Sequence, residues 1–157
     1  MKKLNFYFLL FFVLFLISCG FKVENYSKLS NFKISEISTQ GDKRINYKLK
    51  NALLFQSSKN SSKLINIELQ TNKNKTIKEK NIKNEITKYK IDISVEVTFN
   101  KISSETKSSF NISRSGNFKV ATQYSQTLNN EKKLIEMLTD KISQEIFNKL
   151  VLESNAI

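Results

Sequence analysis

The side chains that carry most enzyme chemistry are scarce in this chain of 157 residues, which has no His, one Cys and three Gly. It can therefore form neither a Ser-His-Asp triad nor a metal site of imidazoles or several thiolates. Its glycines are too far apart for a phosphate-binding loop. The pattern Ser-x-x-Lys, which can support acylation, occurs at Ser30/Lys33 and Ser104/Lys107, but chance alone predicts about three such matches in so Ser- and Lys-rich a chain. The composition predicts a binding or structural protein, not an enzyme.

The single cysteine, Cys19, follows an apolar leader. Lys2 and Lys3 precede twelve consecutive apolar residues at positions 6–17. This tract is shorter than the roughly 20 residues of a membrane-spanning helix and has the length of a signal-peptide core. It ends in Leu16-Ile17-Ser18-Cys19, which resembles the bacterial lipoprotein box. In lipoproteins the leader is removed before the Cys, whose thiol receives a diacylglyceryl group and whose new amine is acylated.

These features predict a lipoprotein signal peptide over 1–18, a tether over 19–31 and a single domain over 32–154. Three acyl chains on Cys19 would hold the domain at a membrane, because each buried methylene contributes about 0.8 kcal/mol and one chain alone holds only marginally. This covalent lipid is the only cofactor expected. No metal ion is expected. By resemblance to sorted lipoproteins, Gly20 after the cysteine implies the outer membrane, with the domain facing the periplasm. The alternative is a buried cysteine behind an uncleaved anchor.

The rest of the chain alternates between strand and helix periodicity. Alternation typical of strands occurs at 32–37, 64–70, 89–99 and 110–124, and helical spacing of apolar residues occurs over 42–56 and 129–152. The clearest strand is 89–99, where apolar residues occupy every odd position and polar residues every even one, as in a strand buried on one face. Asn129 or Asn130 is predicted to cap the last helix. The order β-α-β-β-β-α predicts an α+β fold, with two helices packed on one face of a mixed four-stranded sheet and the other face polar.

The formal net charge of +12 is unevenly distributed. Segment 72–90 contains seven lysines and two glutamates, and its first part, 72–84, is predicted to be a loop or a hairpin tip. Ammonium groups form strong hydrogen bonds with phosphate, so this region would suit a phosphorylated, anionic ligand such as a glycolipid. Its candidate ligand residues are Lys73, Lys75, Lys78 and Lys80. The alternative is a plain solvated loop, because Lys outnumbers Arg by 24 to 2 and fills solvated positions throughout.

A further candidate for phosphate binding is Arg114, whose planar guanidinium suits phosphate oxygens. It follows Ile112 in the strand alternation, although a turn or bulge predicted at Ser115-Gly116 would turn it outward. Nucleic acid is not expected as a partner. The aromatic residues Tyr89 and Phe99 lie on the predicted buried face of a strand and are not interleaved with lysines.

Together these residues resemble the LPS-assembly lipoprotein family, LptE. The resemblance rests on Cys19-Gly20-Phe21, on Phe32-Lys33-Ile34 before Gly-Asp-Lys-Arg at 41–44, and on the order of the later elements. Those elements are a strand opening at Tyr89, a strand ending in Val-Ala-Thr-Gln-Tyr-Ser at 120–125, and a terminal amphipathic helix. The family commonly has Pro and Leu-Tyr shortly after Cys-Gly-Phe, where this chain has Lys-Val-Glu-Asn-Tyr at 22–26.

The resemblance implies a function that the spacing of residues does not. LptE-like proteins are non-catalytic plugs of a large LptD-like outer-membrane β-barrel, assist its assembly, and bind lipopolysaccharide on its way to the outer leaflet. The implied partners are therefore that barrel, lipopolysaccharide and the outer-membrane bilayer. The alternative is a structural envelope lipoprotein that tethers the outer membrane to peptidoglycan or to another complex without binding lipopolysaccharide.

Overall fold

The computed structural model describes residues 32–102 and 106–155. These residues form β1 (Lys33–Gly41), α1 (Lys43–Gln56), β2 (Leu64–Lys80), β3 (Ile86–Lys101), β4 (Lys107–Lys119) and α2 (Tyr124–Asn155). The predicted order and the α+β class are confirmed. The predicted signal peptide and tether, with Cys19, lie outside the described residues.

The four strands of the described chain form one mixed sheet in the order β1-β2-β3-β4. β1 pairs parallel with β2, and the other two pairs are antiparallel. A parallel pair needs a crossover connection, and α1 supplies it by returning the chain from the end of β1 to the start of β2. The pairing of β1 shifts register between Ile34 and Glu36, where the sequence alternation also slips. β1 and β4 are the edge strands.

The hydrophobic core lies between one face of the sheet and the two helices. The odd-numbered residues of β3 line this face, and those from Ile91 to Phe99 are all buried. α1 contributes Ile45, Leu49 and Leu53, and α2 contributes an apolar stripe that includes Ile142, Ile146 and Leu150. The even-numbered residues of β2 up to Thr76, the even-numbered residues of β3 and the odd-numbered residues of β4 therefore face away from the helices. This second surface of the sheet is here called the open face.

β2 is much longer than the sequence predicts. Residues 72–80 continue the strand, so the prediction of a loop or hairpin tip over 72–84 is wrong for most of its length. Their partner is the first half of β3, with Lys73 opposite Ile93 and Ile77 opposite Tyr89. Backbone pairing with β3 stabilises this half of β2, and polar side chains on both faces left no alternation to detect.

The turn between β2 and β3 is confined to residues 81–85. The side-chain oxygen of Asn81 accepts hydrogen bonds from the backbone N–H groups of Lys83 and Glu85, each at 3.0 Å. Asn84 has a φ of 62°, a left-handed conformation that Asn adopts more readily than most residues. An asparagine-based turn therefore closes the hairpin without glycine or proline.

Gly116 lies inside a regular strand, so the predicted turn or bulge at Ser115-Gly116 is wrong. β4 pairs with β3 without a register shift, and Gly116 stands opposite Ile91 on the helix-facing side. A Cβ at Gly116 would lie 2.6 Å from Cδ1 of Leu134 in α2. The glycine allows close packing of the helix on the sheet.

α2 begins five residues before the predicted start. Tyr124, predicted as strand, is its first residue, and Asn129 and Asn130 lie within the helix and do not cap it. The hydroxyl of Thr127 accepts a hydrogen bond from the backbone N–H of Ala121 at 2.9 Å, which ties the first turn to the preceding chain. Tyr124 and Leu128 are exposed and do not belong to the core-facing stripe of α2. The spacing of apolar residues therefore could not locate the start of this helix. Of the helices in the described ranges, none combines the length and the apolar character needed to cross a membrane.

A buried polar corner joins β1 to α1. Gly41 has a φ of +98°, and a Cβ there would lie 1.9 Å from the carbonyl oxygen of Thr71. The Thr71 hydroxyl accepts the backbone N–H of Asp42 at 3.0 Å and donates to Oδ1 of Asn46 at 2.9 Å. The amide of Asn46 donates to the carbonyl of Gln40 at 3.0 Å. These bonds satisfy polar groups that would otherwise be buried at a cost.

Candidate functional site

Two of the predicted phosphate-binding lysines lie on the helix-facing side of β2, where each has a carboxylate partner. Lys73 Nζ is 2.6 Å from Oδ2 of Asp42, and Lys75 Nζ is 2.5 Å from Oε2 of Glu131. Asp42 is the N-cap of α1, and Glu131 belongs to α2. The two lysines therefore fasten the outer half of β2 to the beginnings of both helices.

Asp42 has several partners that keep it ionised. Burial raises the pKa of its carboxyl, but the hydrogen bond from Lys73, backbone N–H groups of Ile45 and Arg44 and the charge of Lys73 outweigh burial. The result is a pKa below the usual value. Its Oδ1 accepts from the backbone N–H groups of Arg44 and Ile45 at 3.0 and 3.1 Å, so one carboxylate both caps α1 and pairs with Lys73.

Lys75 also contacts aromatic rings. Its Nζ lies 4.5 Å from the ring centroid of Tyr89 and 5.1 Å from that of Phe118. These two rings stack across β3 and β4 with centroids 5.5 Å apart. Because a cation over an aromatic face is attracted by the ring quadrupole, the ammonium group is held by two rings and the carboxylate of Glu131. Its position is that of a structural lysine.

We expect Lys75→Gln to lower the free energy of unfolding by about 1 kcal/mol, because it removes the cation from two ring faces and from Glu131. Urea unfolding followed by circular dichroism measures this change. The matched control is Lys78→Gln, which should leave stability within about 0.5 kcal/mol of the parent chain. Equal effects of the two substitutions would contradict the structural role of Lys75.

The remaining lysines of the basic segment divide into paired and unpaired groups. Lys80 Nζ donates to Oδ1 of Asn84 in the turn at 2.9 Å. Lys88 pairs with Glu79, and Lys90 pairs with Asp92 on the open face. Within residues 32–102 and 106–155, the Lys78 ammonium forms no hydrogen bond or ion pair. Four of the seven lysines in segment 72–90 thus have carboxylate partners. Among the described residues, the remaining three, Lys78, Lys80 and Lys83, have none.

Arg114 faces α2 from the edge strand. Its Nη2 donates to Oε2 of Glu145 on that helix. The alternation with Ile112 therefore predicts its side correctly, and the outward turn required by a bulge at Gly116 does not occur. The guanidinium has a carboxylate partner and is about half exposed.

Among the described residues, neither helix packs on the open face. All four strands contribute to it, mainly Asn, Gln, Ser and Thr side chains such as Gln70, Ser94 and Ser113. A depression of about 160 Å³ lies on it near Asn66, Glu68 and Lys107. The Oδ1 atom of Asn66 is buried and has no hydrogen-bond partner among the described residues. This surface offers many neutral donors and acceptors to a polar partner.

Comparison with known proteins shows that this chain shares its fold with solved structures of lipoproteins. No family model matches the chain, and no curated protein matches it. Among solved structures, an uncharacterized lipoprotein B from Nitrosomonas europaea has a TM-score of 0.60 at 16% identity, over 87% of this chain and 94% of that one. A minor lipoprotein from Acinetobacter baumannii has a TM-score of 0.53 at 12% identity, over 78% of this chain and 92% of that one. At this identity the similarity establishes a shared fold.

Proposed function

We propose that the chain is an outer-membrane lipoprotein of the LptE type, anchored through an acylated Cys19. In this proposal it is a non-catalytic plug of the β-barrel that inserts lipopolysaccharide, and it assists assembly of that barrel. The observation that carries the proposal is the fold, similar over most of its length to solved lipoproteins. The lipoprotein box at Cys19 supports the same assignment independently of the fold.

The open face supplies the surface that a plug requires. The lumen of an outer-membrane barrel is polar, so a protein inside it needs hydrogen-bonding side chains in place of an apolar interface. The Asn, Gln, Ser and Thr side chains of the open face meet this requirement with little net charge.

The contacts of the basic residues narrow the proposed lipopolysaccharide site. Three of the candidate residues form ion pairs with carboxylates at the two helices: Lys73, Lys75 and Arg114. If these side chains bound lipopolysaccharide instead, the carboxylates would lose their partners. Lys78 and Lys80 lie at the β2–β3 hairpin, where their ammonium groups are exposed. The proposal therefore assigns glycolipid phosphate to this hairpin and a structural role to the other three.

Co-purification tests the proposed function. The native lipidated protein, extracted in mild detergent, should carry a stoichiometric large β-barrel. A Ser94→Trp substitution places a bulky ring at the middle of the open face, and we expect it to abolish recovery of the barrel. The matched control is Gln144→Trp on the exposed side of α2, which should retain it.

Other outcomes would contradict the proposal. Recovery of peptidoglycan, or of no partner, from the native protein would favour the tethering alternative. Equal recovery of the barrel with Ser94→Trp and with Gln144→Trp would show that the open face is not part of the interface with the barrel. Circular dichroism of both variants verifies that each one folds.

A further inference from the structure

The outer side of the edge strand β4 has no partner strand among the described residues. Its inner side pairs with β3 from Lys107 to Lys119 without a register shift. The backbone N–H and C=O groups of the outer side therefore point away from the sheet. A row of such unpaired groups is a template for the pairing of one more strand.

A hydrogen bond at the end of the β3–β4 pair shows which residues of β4 point outward. The backbone N–H of Val120, just beyond β4, donates to the carbonyl of Thr87 at 2.9 Å. Because successive residues of an antiparallel strand bond to opposite sides, the even-numbered residues of β4 bond to β3 and the odd-numbered residues point outward. The carbonyl of Lys119 follows this alternation, since it accepts a hydrogen bond from Nδ2 of Asn130 in α2 at 3.2 Å. The outward amides between the strand ends belong to Ser109, Asn111, Ser113, Ser115 and Asn117.

These five amides are accessible to a partner. Within residues 32–102 and 106–155 none of them donates a hydrogen bond, and all five residues are exposed. The carbonyl of Ser113 accepts one long bond, at 3.4 Å from Nη1 of Arg114. At a rise of about 3.4 Å per residue, the edge from Ser108 to Phe118 is about 34 Å long.

β4 lacks the features that commonly block an edge strand. Such edges are often interrupted by proline, by a bulge or by an uncompensated charge. β4 contains no proline and no bulge, and its one internal charge, Arg114, is paired with Glu145. The other edge strand differs, because the pairing of β1 shifts register between Ile34 and Glu36. β4 is therefore the edge along which a further strand can pair without interruption.

The outward side of β4 adjoins the open face. The odd-numbered residues that point their backbone groups outward also place their side chains on that face. A protein that covers the open face therefore brings its own backbone close to β4. A second copy of this chain fits poorly. Full antiparallel overlap of two β4 strands would place Lys107 of each copy opposite Lys119 of the other, and like charges in that position are destabilising.

The two sides of the edge specify the kind of segment that fits. Polar Ser and Asn side chains border it on the open face, whereas half-buried Phe110 and Gly116 border it on the helix-facing side. A strand with polar and apolar residues in alternation matches both sides. β4 also contains three basic residues and no acidic one, so carboxylates on the added strand would be complementary in charge.

We infer that β4 pairs with an extended, amphipathic and acidic segment of the protein that covers the open face. In the proposed function that protein is the barrel, so the inference rests on the proposed function. A closed barrel has no free strand edge, so this segment lies outside the barrel's own strands. The added strand extends the sheet from four strands to five. Main-chain bonds then supply affinity, and alternate side chains supply specificity.

Residue-resolved hydrogen exchange tests this pairing. In the chain from position 19 with Cys19→Ser, studied alone, the five outward amides should exchange rapidly. In the native complex with the barrel, extracted in mild detergent, the same amides should exchange at least about a hundredfold more slowly. The even-numbered amides of β4 are the internal control, because their bonds to β3 should protect them in both samples.

A backbone substitution at the centre of the edge supplies the second measurement. Ser113→Pro removes an outward N–H and leaves the bonds to β3 in place, since proline is tolerated on the outer side of an edge strand. Recovery of the barrel should fall at least about tenfold. Ser113→Ala is the matched control, because it removes the hydroxyl but keeps the N–H, and it should retain recovery within about twofold. Circular dichroism verifies that both variants fold.

Three results would overturn the inference: unchanged exchange of the outward amides in the complex, equal recovery of the barrel with the two Ser113 variants, or slow exchange of these amides already in the chain alone. The last result would mean that a second copy or another part of this chain occupies the edge. All three leave the proposed function intact as long as the native protein carries the barrel. A native protein without the barrel would contradict the proposed function and the inference together.

Discussion

A Gly41→Ala variant should lose about 3–5 kcal/mol of unfolding free energy, a large fraction of the stability of a domain this size. The backbone of Gly41 has a φ of +98°, a conformation that strains any residue with a Cβ. The added methyl carbon would also lie 1.9 Å from the carbonyl oxygen of Thr71, so β1 and β2 would have to separate. That movement would disrupt the hydrogen bonds that join Thr71, Asp42 and Asn46. Urea unfolding followed by circular dichroism measures the loss.

Gly116→Ala is the matched control for this substitution. Its Cβ would lie 2.6 Å from Cδ1 of Leu134, the end of a side chain that can rotate. The expected cost is therefore about 1–2 kcal/mol, typical of overpacking a core. If Gly41→Ala were as stable as the parent chain, the tight corner between β1 and α1 would be refuted.

Replacing Cys19 with Ser should produce the largest change in the location of the protein. The hydroxyl cannot receive the thioether-linked diacylglyceryl group, so the chain should keep its leader and run as a larger, unacylated precursor. Loss of the acyl chains removes about 0.8 kcal/mol for each methylene buried in the bilayer. Metabolic labelling with palmitate and intact-mass spectrometry distinguish the two forms.

Ser18→Ala is the control that keeps a small residue before the cysteine. It should be processed and acylated like the parent chain, because the lipoprotein box requires a small residue at this position. Normal acylation of the Cys19→Ser chain would disprove the assignment of the lipid. A native polypeptide that starts at Met1 would do the same.

Much of the fold was predictable because burial imposes a period on the sequence. The odd positions of β3, from Ile91 to Phe99, are buried as the alternation predicts. Ile45, Leu49 and Leu53 form the core-facing stripe of α1. The polar even positions of β3 from Lys90 to Thr98 likewise predicted that one face of the sheet would be left polar.

The predictions of secondary structure failed where buried residues do not recur at a regular spacing along the sequence. Residues 72–80 are polar except for Ile77, and backbone bonds to β3 keep them in a strand. The first turn of α2 buries Thr127 but exposes Tyr124 and Leu128, so its hydrophobic pattern starts later than the helix does. Gly116 is explained by contact with Leu134, a residue too distant in sequence for local rules to connect.

The sequence by itself determined the element order, the core-facing residues and a candidate lipid attachment at Cys19, since each depends on residues close together along the chain. Only the tertiary structure decided the partners of the charged side chains. It pairs Lys73 and Arg114 with carboxylates of different helices, and it places β4 at an edge of the sheet with no strand beyond it among the described residues. The physical reason is that strand pairing joins positions far apart in sequence, whereas composition records only how many charges a segment contains.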